Sequence, residues 1–391
     1  MRLQHQLAVF FATVLSVALF LSRSWLLPPQ RHETSSDFCE SKAYRSNVLK
    51  LVKDAPFAGL FADLKNQTKF EASGVAFDPT TSTFLTVFDS SMSIGRIDET
   101  FRFRGPDNAL IGDQQHESQF EGISMYSSTS SAKSASSSRR ASSASSAVSQ
   151  WLLLAEAVPA SPSSKEEYYP ETTLVKLTAG RSDGYEVIER CLVDFRLAHE
   201  NKGFESIVYV EESGMLLGLC EGNHCVGGKK GRERGNGRIV VSERTVTNDG
   251  TCVWRVVDMI EVPKVAFFQD YSAMAIHRGM GKMAILSQED AAVALLDFDV
   301  ATLRFGVEDG GEDQGEKGVV WHLPRDAHCD IVFCNAEGIA FMDEYRLLIV
   351  SDKAKSKQGE ACLAHDQSAA IFVVPSGFEP YGRRKEEERY Q

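Results

Sequence analysis

Positive charge is what this chain is short of: 42 Lys and Arg stand against 54 Asp and Glu, a formal net charge of -12. Nucleic acids are held chiefly by a basic field over their phosphates, so nucleic acid is not an expected partner. Familiar catalytic signatures are missing too. No Gly-x-Ser-x-Gly elbow, His-Glu-x-x-His pair, phosphate-cradling glycine loop or EF-hand loop occurs, which leaves those chemistries without their usual sequence support. The longest apolar run, "LAVFFATVLSVALFL" from Leu7 to Leu21, makes roughly 22 Å of helix against a hydrocarbon thickness of about 30 Å. Arg2 precedes it and Ser22 and Ser24 follow, a pattern that favours a cleaved signal peptide over a signal anchor within residues 1–27. The expectation is therefore the secretory pathway, with the product secreted or held by this one uncleaved segment, its only route to a membrane.

Export permits disulfides, and the eight cysteines are an even set whose connectivity cannot be read. Cys220 with Cys225 and Cys329 with Cys334 each enclose four residues, a spacing suited to a local staple and wider than a zinc knuckle. Asn66-Gln67-Thr68 is the one ordinary glycosylation sequon.

What the chain does have is a repeat. At 391 residues a single undivided core is unusual, and five segments align: "SGVAF" from Ser73, "EGISM" from Glu121, "ESIVY" from Glu205, "SAMAI" from Ser272 and "EGIAF" from Glu337. Each opens with Glu or Ser and then alternates with the period of two that marks a strand. A second strand follows each one and ends in an acid: Asp89, Glu156, Glu221, Glu289 and Asp352, at distances of 16, 35, 16, 17 and 15 residues from the leading position. The long second spacing contains a Ser/Ala tract at 126–150, expected to be a disordered insert in one hairpin turn. Further β-like pieces, including "AVALLDFD" with "LRFGVE", bring each repeat to about four strands.

These spacings predict an all-β protein, a β-propeller with five visible blades and room for a sixth. Residues 28–69 form an N-terminal segment available to close the last blade, 70–381 the propeller domain and 382–391 a solvated charged tail.

In a hairpin the start of the first strand and the end of the second lie at the same end. Glu121, Glu205 and Glu337 should therefore share one rim with Asp89, Glu156, Glu221, Glu289 and Asp352. So many like charges need compensation, either from a hard cation or from amide hydrogen bonds that tie neighbouring blades together. Glu121, Glu205, Glu337 and Asp352 are the candidate ligands of a divalent cation, Ca2+ first, and Glu221 or Asp89 the candidate base. The loop from Gly222 to Arg238 leaves the same rim; its Lys229, Lys230 and Arg232 are candidates for holding an anionic substrate. The turns carrying the Ser/Ala insert belong to the opposite face. His224 and His277 neighbour site loops and are expected to be ordinary polar residues, and the acidic stretch at 309–316 an exposed turn.

At "ASGVAFDP", "FEGISM", "NKGFESIV", "YSAMAI" and "NAEGIAFMDEYRLLIVSDK" the chain resembles the phytase-like, or esterase-like activity of phytase, family of β-propellers, over roughly residues 70–375. That resemblance implies phosphate- or ester-directed hydrolysis, and related propellers often place a metal at the channel mouth. The long insert and the missing final strand depart from the pattern. The expected function is a metal-dependent hydrolase of a small anionic or ester substrate, acting as a monomer. The alternative is a non-catalytic propeller that binds a glycan, peptide or protein through the same mouth, with architectural glutamates.

Overall fold

The computed structural model describes residues 35–375 except 63, 65–68, 127–148, 160–166, 178–183, 198–202 and 307–317. The N-terminal apolar run, the sequon at Asn66, nearly all of the Ser/Ala insert, the acidic stretch at 309–316 and the charged tail lie outside them.

Five antiparallel blades follow one another along the chain. Blade 1 is Ala72–Asp78, Thr83–Phe88, Ser91–Asp98 and Ala109–Gly112. Blade 2 is Phe120–Tyr126, Gln150–Pro159, Tyr168–Leu177 and Tyr185–Val193. Blade 3 is Phe204–Val210, Met215–Cys220, Arg238–Val246 and Cys252–Glu261. Blade 4 is Ala273–His277, Lys282–Ser287, Ala292–Asp299 and Gly318–His322. Blade 5 is Ala336–Phe341, Arg346–Ser351 and Ser368–Val373, and its fourth strand comes from the other end of the chain: Lys50–Pro56 pairs antiparallel with Ser368–Val373.

Second strands are apolar on both faces, as in Thr83–Phe88, where every residue is buried, because each blade packs against a neighbour on either side. The core is accordingly divided into five clusters, one at each seam. Leu217 and Ile239 of blade 3 meet Ile285 and Leu296 of blade 4, for example, and Phe84 and Phe88 of blade 1 meet Leu348 and Ile371 of blade 5. Five seams around five blades make a closed ring.

Sequence pairing fails in two places. The long partner of Ala292–Asp299 is Gly318–His322, whereas "LRFGVE" contributes only Arg304–Phe305 at its far end. Cys329 and Cys334 do not pair with each other. Cys329 bonds Cys39 and Cys334 bonds Cys362, because the loop between them directs one sulfur to the N-terminal helix and the other to the short helix at Glu360–Ala364. Cys220–Cys225 is a local staple, and Cys191–Cys252 joins blades 2 and 3, whose outer strands also pair in parallel. Four disulfides belong to an oxidising compartment. Among the described residues no helix is long and apolar enough to cross a membrane.

Candidate functional site

The leading position of four of the five repeats is set by a backbone irregularity. In blades 1, 2, 3 and 5 the register between first and second strands slips by one residue, at Ser73, Glu121, Glu205 and Glu337 respectively. Such a bulge leaves one residue unpaired and re-aims its side chain. The flanking residues show the result. Phe120, Phe204 and Ala336 are buried, while the three glutamates are only half-buried at the mouth.

Where the leading residue is serine it ties blades together. The Ser272 hydroxyl donates to the Ala336 carbonyl of blade 5 at 2.8 Å, and that of Ser73 donates to the Phe120 carbonyl of blade 2. Ser272→Ala should therefore cost about 1–2 kcal/mol in urea unfolding, because a buried carbonyl loses its donor; an unchanged midpoint would show the tie to be slack.

The glutamates are in a different situation. Burial first, then the charges of Glu205, Glu337, Asp89 and Glu156, push the Glu121 carboxyl well above the ordinary range. Glu337 is raised likewise by burial, then by Asp352, with Lys355 opposing and Asp89 and Glu221 adding to the rise. Burial also lifts Asp352 to about 7 against the N–H of Lys353, Glu71 adding repulsion, and lifts Asp89 with Glu71 and Glu117. Carboxylates 263 positions apart in sequence thus feel one another at one mouth (Asp89 to Asp352).

The tightest group is Glu156, Glu205 and Glu221, each offering an oxygen within 4.8 Å of the others. Glu156 also accepts the Gly203 N–H at 2.8 Å, so one carboxylate both belongs to this group and holds a seam. Of the sequence candidates, the structure gathers Glu205 with Glu221, and sets Glu337 within electrostatic reach of Glu121, Asp352 and Asp89. Glu289 is exposed, gives its N–H to Asp270, and borders a cavity that Glu221 also lines.

The Gly222–Arg238 loop is folded. Cys220–Cys225 staples its start, Gly228–Gly231 forms a helical turn, and the buried Asn223 side chain donates to the carbonyls of Gly231 and Gln269. Lys229 and Arg232 line a cavity of about 480 Å3 together with Glu221, Asp270 and Lys355; Lys230 does not border it. His224 pairs with Glu233, and His277 lies at the opposite face, away from the site loops.

Sequence reasoning missed three groups. Glu71 sits two residues ahead of a serine-led repeat, Asp270 holds the equivalent place before Ser272, and Lys355 lies just past the last second strand. Asp270, pushed up to about 6 by burial, accepts from the Ser287 hydroxyl and the Glu289 N–H. An acid two residues before Ser in both exceptional repeats was the available signal.

Fold and site together define a five-bladed β-propeller with a carboxylate-rich mouth. No family model matches the chain, and no curated protein matches it. In structure it is similar to the PQQ-bound form of aldose sugar dehydrogenase from Streptomyces coelicolor, with 10% identity over 83% of this chain and 98% of that one and a TM-score of 0.42. It is also similar to a luciferin-regenerating enzyme (11%, 84% and 97%, 0.39) and to the β-propeller domain of Cps50 (Swd1) from Myceliophteria thermophila (8%, 84% and 100%, 0.33). At these values the likenesses say nothing about activity.

Proposed function

We propose that this chain is a secretory-pathway hydrolase of phosphate or carboxylic esters, of the phytase-like kind, that works with a divalent cation at its acidic mouth. The single observation that carries the reading is the close approach of Glu156, Glu205 and Glu221 within a wider group of mutually repelling acids. Carboxylates perturbed by burial and by one another in a recess are candidates for a functional site.

The donor set fits Ca2+. Every donor is a carboxylate oxygen, and oxygens sharing a Ca2+ at about 2.3–2.6 Å lie no more than roughly 5 Å apart. Glu205 with Glu156 and Glu221 would hold the ion, with Glu121, Glu337 and Asp352 supplying charge around it. When bound, such an ion supplies Lewis acidity toward a phosphoryl or acyl oxygen.

The chain's own residues divide the remaining work. Asp89, its carboxyl held above the ordinary range by burial, is suited to take a proton, while Glu221, the other base candidate of the sequence, is taken up by the ion. Lys229 and Arg232, on the wall of the cavity that Glu221 shares, would hold the anionic end of a substrate. Lys230 is left to solvent.

The test is turnover of p-nitrophenyl phosphate and p-nitrophenyl acetate by purified protein, with Ca2+ and with chelator, beside Glu205→Gln. Hydrolysis that falls at least a hundredfold with chelator and with the variant supports the mechanism; activity indifferent to both removes it.

A further inference from the structure

The pore narrows part of the way along its length. One residue beyond the leading position, the five inner strands press together backbone against backbone. A Cβ on Gly74 would lie 2.9 Å from the Gly122 Cα, one on Gly122 3.1 Å from the Ile207 nitrogen, and one on Gly338 3.1 Å from the Gly74 carbonyl carbon. The other two seams are bridged by serines, Ser206 with Met274 and Ser272 with Ala336. This waist separates the carboxylates from a second recess on the opposite face, a cavity of about 350 Å3 that none of the mouth acids borders.

The recess has a different chemistry. Much of its wall is Phe77, Met125, Val208, Ile276 and Phe341, apolar side chains left half-exposed in the lumen, with Ser124, His277 and Arg278 also bordering it. Its volume lies within the range of about 300–1,000 Å3 typical of small-molecule sites.

One polar side chain of the wall has a defined donor. His277 Nδ1 accepts the Met280 N–H at 3.1 Å, which puts the ring proton on Nε2, and among the described residues that N–H has no protein acceptor. The ring also stands edge-on to Phe341, with centroids 5.4 Å apart.

The rim cation is already engaged. Arg278 donates to the Tyr209 carbonyl at 3.1 Å and faces Glu212 at 3.4 Å and Glu211 at 4.0 Å. An anionic head group would meet two carboxylates beside one guanidinium, and a cationic one would find no carboxylate in the wall itself.

We infer that this recess is a binding site for a small, uncharged, apolar molecule carrying one hydrogen-bond acceptor, such as a ketone or ester oxygen, that receives the His277 Nε2–H. It is independent of the hydrolase reading and of any cation, since the waist lies between the two sites.

The probe is prodan, a neutral naphthalene with a single ketone whose emission moves to the blue in apolar surroundings. Saturable one-to-one binding with blue-shifted emission is expected, unchanged by chelator or by Glu205→Gln. An analogue with propyl in place of propionyl should bind about tenfold more weakly for want of the hydrogen bond. Ala275→Phe, which fills the lumen from a residue of its wall, should abolish the signal while keeping a cooperative melt. A crystal soaked with prodan locates the molecule whether or not that variant folds. Equal binding of both probes, retained binding in the folded filled variant, or density anywhere but this recess overturns the inference.

Discussion

Stripped of divalent cations at pH 8, Glu121→Gln and Glu337→Gln are expected to melt above the wild type. Both half-buried carboxyls stand among other acids that disfavour their charged form, Glu121 by Glu205, Glu337 and Asp89, and Glu337 by Asp352 and Asp89. Glutamine keeps the shape and removes the charge. Relief equivalent to one pKa unit is about 1.4 kcal/mol, and a large domain moves by about 2–4 °C per kcal/mol, so a rise of roughly 3–6 °C is expected.

The pH dependence follows with the same sign. Folded-state values above those of the unfolded chain mean that the native protein holds more protons between the two. Stability from these groups is therefore fully present below the ordinary carboxylate range and declines as pH rises from about 4 toward 7, where Asp352 ionises. Ca2+ at a hundredfold excess over its Kd should add about 2.7 kcal/mol to the wild type, and both glutamine variants, which weaken the field around the ion without removing a ligand, should keep part of that gain. Calorimetric melts in chelator and in Ca2+ between pH 4 and 8 decide the matter. Variants that melt lower than wild type throughout, with no response to Ca2+, would mean the glutamates are blade ties like the serines.

The second large effect lies at the waist. Gly338→Ala should cost about 3 kcal/mol or more, at the upper end of overpacking penalties. Its new methyl would sit 2.5 Å from a Val350 methyl and 3.1 Å from both the Gly74 carbonyl carbon and the Val75 nitrogen. Those backbone atoms belong to the next blade, so the clash is relieved only by parting the seam between blades 5 and 1. Gly184→Ala, where nothing lies within 4 Å, is the control and should stay within about 0.5 kcal/mol of wild type. Urea unfolding measures both. Equal midpoints would show that the inner strands have more freedom than backbone contact allows.

Much of this architecture was legible along the chain because a propeller writes each blade as a separate stretch of sequence. The period of two in "EGIAF" and the acid closing "LLIVSD" depend on one hairpin, and a hairpin is local. The convergence of Glu121, Glu205 and Glu337 followed from repeating that hairpin around an axis. Less local features stayed hidden. Gly318–His322 is a short apolar run that could pair with several partners, and the choice of Ala292–Asp299 rests on which edge the ring leaves open. Cys329 bonding Cys39 across 290 positions, rather than nearby Cys334, is a matter of where the N-terminal helix lands. Lys355, Glu71 and Asp270 carry no repeat signature strong enough to place them beside the acids.

By itself the sequence determined the alternation of strands and turns, the number of blades that could be counted, and the presence of an acid at the end of every inner hairpin and at the start of three of them. Those features arise from interactions between residues a few positions apart, where composition and spacing suffice. Only the tertiary structure decided that Glu156 joins Glu205 and Glu221, that glycines and serines draw the pore to a waist, and that an apolar recess lies beyond it. Each of these is a contact between different blades, set by how five twisted sheets close on one another, and closure leaves no trace in any single repeat.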